Sequence, residues 1–309
     1  MTERGARRPT ALRLGVGMDL PWGGAIGFDP LLDAPNDRMT KFLGMHAEEF
    51  SYLVFSFQPN GSAPLNAAYY LSAYRRLVEH FPGVPVAMHH TMLNLGSVPD
   101  YDRRPAAEFV NAVNEAITLD WVVEDLGMWS LRGVPMPYPL PPYLVAENVE
   151  HVARNIADAA GLLDVPLRVE FPGFTDGVTV AIGDMDAYDF FGRTIRAAGV
   201  DATLDVGHLL SWRWWKGHRG HELYDGLEQL PLDAVRELHL SGSAISRGRF
   251  LDLHHGVLLE EQFVLAELLV ERCPRLTDVT YEDPNYGRDG VPVLRSVPSI
   301  ARLKELVAQ

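Results

Sequence analysis

The chain has 309 residues, 47% apolar and 22% charged, which suits one large globular domain and excludes a fibrous or disordered protein. Its formal net charge is −14, with 41 Asp and Glu against 27 Lys and Arg. That field repels phosphate backbones and anionic lipid, so neither nucleic acid nor a membrane surface is an expected partner.

Met1 to Ala11 is basic and lacks the apolar core of a secretion signal. It reads as a flexible N-terminus ahead of a domain over 12–309, and a cytoplasmic location is expected. No stretch approaches the roughly 18 uninterrupted apolar residues of a membrane span. The single cysteine, Cys273, rules out an internal disulfide and reads as a small buried hydrophobe.

Short apolar runs that read as strands recur along the chain. In order they are Leu12–Gly17, Tyr52–Phe55, Pro85–Met88, Trp121–Val123, Pro166–Glu170, Ala202–Leu204, Glu237–Leu240 and Asp278–Tyr281. Between them lie stretches with apolar residues at spacings of three and four: Leu65–His80, Ala107–Ile117, Ala146–Leu163, Tyr188–Ala198, Leu259–Glu271 and Ser299–Val307. Alternation of this kind predicts a parallel sheet, and eight strands predict a closed (β/α)8 TIM barrel. The competing fold is an open doubly wound sheet. Gly15–Gly17 gives that fold only a GxG pair, without the third glycine of a dinucleotide site.

The ionisable residues fall where such a barrel gathers its chemistry. His89 and His90 close one strand, Glu170 another; Asp205 and His208 follow the next. His239 lies within a strand, Asp252 and His254 in the loop after it, and Glu282 at the end of the last strand. C-terminal strand ends converge on one mouth, so residues far apart in sequence become neighbours there. Imidazole and carboxylate together suit zinc, iron or manganese. Eight donors (His89, Glu170, Asp205, His208, His239, Asp252, His254 and Glu282) are too many for one ion and suit two or three. In Asp205-x-x-His208 a strand-end carboxylate and an imidazole one turn later face one cavity. In Asp252-x-His254 an extended backbone puts both side chains on one side. His90 and His255 read as structural neighbours. Asp19, Trp129, Trp212 and Arg213 are candidates for substrate contact. Asp19 fits a turn equally well, and the Trp212 to Arg219 segment fits packing on the rim. Pro135 to Pro142 reads as a semi-rigid loop that could act as a lid.

These residues resemble the xylose-isomerase-like barrels, which include the apurinic endonucleases with three zinc ions. They are more similar to the multinuclear non-heme iron-dependent oxidase family, which includes the methanobactin-biosynthesis oxidase. That family's patterns run roughly "SEHLAW", "LLLENP", "LLDVNN", "VxEIHLAGH", "DTH" and "ExD". Their counterparts here are Glu124-Asp-Leu-Gly-Met-Trp129, Leu167-Arg-Val-Glu-Phe-Pro172, Leu204-Asp-Val-Gly-His208, Val235-Arg-Glu-Leu-His-Leu-Ser-Gly242, Asp252-Leu-His254 and Glu282-Asp283. The likeness covers about residues 12 to 285.

The resemblance implies iron, dioxygen as co-substrate, and oxidation of a small molecule or a peptide side chain, with a peptide-recognition protein as a further partner. Zinc or manganese, in a hydrolase or sugar isomerase, is the alternative. Leu126 stands where that family has the His of "SEHL", Phe171 replaces the Asn of "ENP", and Ser243 replaces the second His of "HLAGH". The expectation is therefore two bound ions. A third position, at His89 and Glu170, should be empty or weakly filled unless Asp125 substitutes, leaving His89 to bind substrate or shuttle a proton.

Overall fold

A computed structural model describes residues 11–19, 38–57, 67–97, 101–132, 134–174, 179–287 and 289–308. The first half of the chain runs β1 (Arg13–Asp19), α1 (Arg38–His46), β2 (Tyr52–Phe57), α2 (Ala67–His80), β3 (Val86–His90), α3 (Arg104–Ile117) and β4 (Val122–Asp125). A hairpin of β5 (Met128–Leu131) and β6 (Val134–Leu140) leads to α4 (Ala146–Leu162) and β7 (Leu167–Glu170). Then come α5 (Ala187–Ala198), β8 (Asp201–Asp205), α6 (Val206–Trp215) and β9 (Val235–Leu240). A second hairpin of β10 (Ser243–Ser246) and β11 (Arg249–Asp252) precedes α7 (Glu260–Arg272), β12 (Asp278–Glu282) and α8 (Val297–Val307).

Eight strands close in the order β1-β12-β9-β8-β7-β4-β3-β2, and all eight pairings are parallel. These are the eight runs marked by sequence, and the fold is a closed (β/α)8 barrel. Both hairpins fall where the sequence reads as loop. The Pro135 to Pro142 segment is largely β6, paired antiparallel with β5.

Side chains alternate across each strand, so one parity lines the interior and the other faces the helices. Tyr52, Val54, Ala87, Trp121 and Val123 form a small cluster of their own inside the barrel. Gly15 makes room for it, because a Cβ there would lie 2.2 Å from the Tyr52 ring. Outward-facing residues join the larger core between sheet and helices, where Val110, Val152, Ile156, Phe191, Ile195, Leu265, Leu269 and Leu303 are buried. Each such side chain stabilises the fold by about 1.5–3 kcal/mol of transfer free energy.

Helix ends are fixed locally. Asp186 caps α5 by accepting from the Tyr188 amide at 2.9 Å, and Gly199, at φ 69°, ends it in the left-handed region. Cys273 is fully buried at the end of α7.

Candidate metal centre

The inward parity delivers donors to one mouth from six strands: His89 from β3, Asp125 from β4, Glu170 from β7, Asp205 from β8, His239 from β9 and Glu282 from β12. All six are buried. His89 Nε2 donates to Glu170 Oε2 at 2.8 Å and stands 3.8 Å from Asp125 Oδ2. His239 Nδ1 lies 3.1 Å from both Glu170 Oε2 and Glu282 Oε1.

The next donors come from beyond the strands. Asp205 caps α6, its Oδ1 accepting from the His208 amide at 2.7 Å. That cap aims the first turn of α6 at the mouth. The His208 ring donates through Nδ1 to the Phe171 carbonyl at 2.8 Å, which leaves Nε2 with a lone pair, 3.4 Å from Asp252 Oδ2. Gly173 gives that ring its space, since a Cβ there would sit 3.1 Å from it. Asp252 ends β11 and accepts from Ser241 Oγ at 2.5 Å. His254, at φ 46°, contacts Asp252 Oδ2 at 3.4 Å through Nε2 and Asp283 Oδ2 at 2.8 Å through Nδ1.

Four groups of three donors converge within 4.8 Å: His89, Asp125 and Glu170; Glu170, Asp205 and His239; His89, His239 and Glu282; and Asp205, His208 and Asp252. His254 belongs to none of these groups among the described residues, though it borders the last. Ligands about 2.1 Å from a shared ion stand about 3.0–3.4 Å from one another. The 3.1 and 3.4 Å separations fit that geometry. Asp205 Oδ2, His89 Nδ1 and both ring nitrogens of His239 are buried without a hydrogen-bond partner. Each such atom costs about 1–3 kcal/mol; for Asp205 Oδ2 and His239 Nδ1 a bound cation would supply the missing partner, while His239 Nε2 lies 3.2 Å from Glu237 Oε1. The residues present fit a metal centre.

Electrostatics point the same way. Burial works against charge on His89, yet the hydrogen bond and charge of Glu170 outweigh it and raise the imidazole to about 9. Burial, with the Glu170 charge next, lifts Asp125 to about 7. Burial also lifts Asp205 to about 7, against the pull of His208 and with help from Asp252. Asp125 and Asp205 are thus pushed toward the protonated form when no cation neutralises them, while burial of Glu170, Asp252 and Glu282 is outweighed by the neighbouring imidazoles, which hold them below the usual carboxylate range.

The structure corrects the expected roles of Leu126 and Asp125. Leu126 is fully buried in the core outside the mouth. Trp121, Val123 and Asp125 share the inward parity, and Asp125 pairs with Glu170 across β4 and β7. Trp212 is corrected as well: it is 1% exposed, stacks on Trp215 and donates to Asp186 Oδ1, so it packs in the core and does not line the mouth. Arg213 is buried and donates to the Glu222 carbonyl, which closes the turn after α6. Trp129 sits half-buried on β5, its amide held by Asn94 Oδ1. Asp19 ends β1 opposite Ser56, but its side chain and the Leu-Pro-Trp-Gly that follows lie outside the described residues. His90 pairs with Glu124, which also accepts from the Leu93 and Asn94 amides. His255 stays at the margin and accepts from the Val257 amide.

Closed barrel topology and a mouth of His, Asp and Glu define the class: a (β/α)8 barrel with a candidate metal centre at the C-terminal ends of its strands. Over residues 66–287 the chain matches the family described as RiPP precursor modification enzyme MbnB/TglH/ChrH, and it belongs to that family. A "UPF0276 protein" of Caulobacter vibrioides is 26% identical over 192 residues, which is 61% of this chain. The match spans 65% of that relative's length. Among solved structures, endonuclease IV from Thermus thermophilus aligns with a TM-score of 0.53 at 16% identity, over 96% of this chain and 98% of that one. A xylose isomerase-like TIM barrel/4-hydroxyphenylpyruvate dioxygenase fusion protein aligns with a TM-score of 0.55 at 11% identity, over 96% and 44%. These two likenesses concern the fold.

Proposed function

We propose that this chain is an iron-dependent, dioxygen-using oxidase that modifies a side chain of a ribosomally made precursor peptide. The observation that carries the reading is that the donor groups overlap. Glu170 belongs to two of them and Asp205 to two, so single carboxylates can bridge neighbouring cations.

Three positions follow. The first uses His89, Asp125 and Glu170; the second His239, Glu170 and Asp205, with Glu282 beside it; the third His208, Asp205 and Asp252, with His254 beside it. This revises the two-ion expectation, because Asp125 completes the position that Leu126 leaves short. His89 then serves as a ligand, and the proton-shuttle role lapses. Iron bound there would supply one-electron and dioxygen chemistry that side chains cannot perform.

The chain's own contribution is geometric and electrostatic. The Phe171 carbonyl and the α6 cap hold His208 in place. A peptide is the substrate class that the family description names; a peptide-recognition partner protein would bring it to the mouth.

Anaerobic purification with elemental analysis, followed by dioxygen uptake on adding precursor peptide, tests the reading. Close to three irons per chain and peptide-dependent uptake are expected. Turnover by zinc-loaded, iron-free protein without dioxygen consumption would overturn it in favour of a hydrolase or isomerase.

A further inference from the structure

Beneath the mouth lies a second buried polar layer. Glu237, on β9 two residues before His239, is fully buried inside the barrel. Its Oε1 accepts from Thr280 Oγ1 at 2.6 Å; its Oε2 accepts from Trp121 Nε1 at 2.9 Å and from Arg168 Nη1 at 3.0 Å. Arg168 also reaches Asp278 at 2.9 Å and lies over the Trp121 ring at 3.9 Å. Thr280 Oγ1 shares a hydrogen bond with the Tyr52 hydroxyl at 2.8 Å. A carboxylate taken out of water is costly unless paired and hydrogen-bonded. Here both oxygens are saturated by donors from β12, from β7 and from Trp121 at the start of β4, which fixes the group in place.

The same Oε1 stands 3.2 Å from His239 Nε2, while His239 Nδ1 faces Glu170 and Glu282 on the mouth side. His239 thus bridges two layers, one nitrogen toward the donor groups and the other toward an immobile anion. An imidazole can give a lone pair from one nitrogen only if its proton sits on the other, and a carboxylate beside the second nitrogen selects that tautomer.

We propose that Glu237 is a positioning residue for the metal centre. It holds the proton of His239 on Nε2, so that Nδ1 presents its lone pair to the cation shared with Glu170. Arg168, whose Nη1 lies 3.0 Å from Oε2, anchors the Glu237 carboxylate on the side away from the mouth. The inference rests on the metal-centre reading above.

Cobalt(II) is the probe. Apo-protein prepared by chelation is titrated with cobalt(II), following visible d–d absorption and stoichiometry, for wild type, Glu237→Gln and Trp121→Phe. Glu237→Gln should bind one cobalt equivalent about 10–100-fold more weakly, with shifted d–d bands, because a neutral amide no longer selects the tautomer. Trp121→Phe loosens the same layer but leaves Glu237 held by Arg168 and Thr280. It should melt earlier and keep the wild-type affinity and spectrum.

Wild type that takes up no cobalt would defeat the metal-centre reading and this inference with it. Wild type that binds while Glu237→Gln matches it would defeat this inference alone, as would equal losses in both variants. Nitrogen-15 spectra of the zinc-loaded wild type give a readout independent of how the variants fold. They should show His239 protonated on Nε2 and metallated on Nδ1, and the reverse assignment overturns the proposal.

Discussion

Asp125 and Glu170 lie opposite one another across the parallel strands β4 and β7, and His89 reaches both, at 3.8 Å and 2.8 Å. Leu126, the next residue, points away and is fully buried in the outer core. Adjacent positions at the end of one strand therefore divide the work between cation binding and packing.

That division predicts opposite phenotypes. Asp125→Ala should lose about one metal ion per chain, as read by elemental analysis, and keep a normal unfolding transition. Leu126→Ala should keep its metal and lose about 2–5 kcal/mol of stability in denaturant titration, the usual cost of a buried Leu cavity. Metal loss in the Leu126 variant with none in the Asp125 variant would refute the assignment.

The ion-free protein should be more stable in mild acid than in mild alkali. Burial and the Glu170 charge raise Asp125 from 3.8 to about 7, and burial does likewise for Asp205. A carboxyl raised in this way binds its proton more tightly in the folded state. Its contribution to stability is complete below the unfolded value and is lost as pH rises through about 7. Melting temperature should therefore fall between about pH 4 and about pH 7 in chelated protein and level off above that, and metal should abolish the fall. Asp125→Asn should shrink it. A flat profile in chelated wild type would count against the crowding of carboxylates at the mouth.

Gly173→Ala probes the placement of His208, since the added methyl would press on the imidazole at 3.1 Å. The ring must give by a few tenths of an ångström at the nitrogen that faces Asp252, so one metal equivalent should bind about tenfold more weakly while the fold is retained. Isothermal titration with zinc would check this; an affinity equal to wild type would show that His208 moves without consequence for any ion.

Gly15→Ala tests the barrel interior, where the methyl would stand 2.2 Å from the Tyr52 ring. Overpacking of this kind costs about 1–3 kcal/mol or more. A clear fall in melting temperature is expected, and an unchanged one would mean that Tyr52 does not fill the space above Gly15.

Much of the fold was legible because its signals are local. Eight apolar runs separated by amphipathic stretches produced the eight strands, most within two residues of their ends. The hairpins β5–β6 and β10–β11 were not legible. The first is proline-rich and the second short and polar, so neither shows the alternation of a half-buried strand. Strand parity marks which carboxylates face the barrel interior. Trp121, Val123 and Asp125 alternate along β4, as Glu237 and His239 do on β9. Counting by twos along β9 from His239 places Glu237 on the same inward face, and along β4 it puts Asp125, the substitute ligand expected from sequence, on the face that lines the barrel.

The sequence by itself determined the barrel and the chemical class of its mouth, because strand and helix periodicities are written residue by residue and His, Asp and Glu fall at strand ends. Only the tertiary structure decided which donors share an ion, that Asp125 stands inside and Leu126 outside, and that Trp212 is core. Those outcomes depend on side-chain direction and on closure of eight strands into a ring, which brings residues such as His89 and Glu282 together from nearly 200 positions apart. No local pattern records that closure, since it is fixed by packing among all the strands at once.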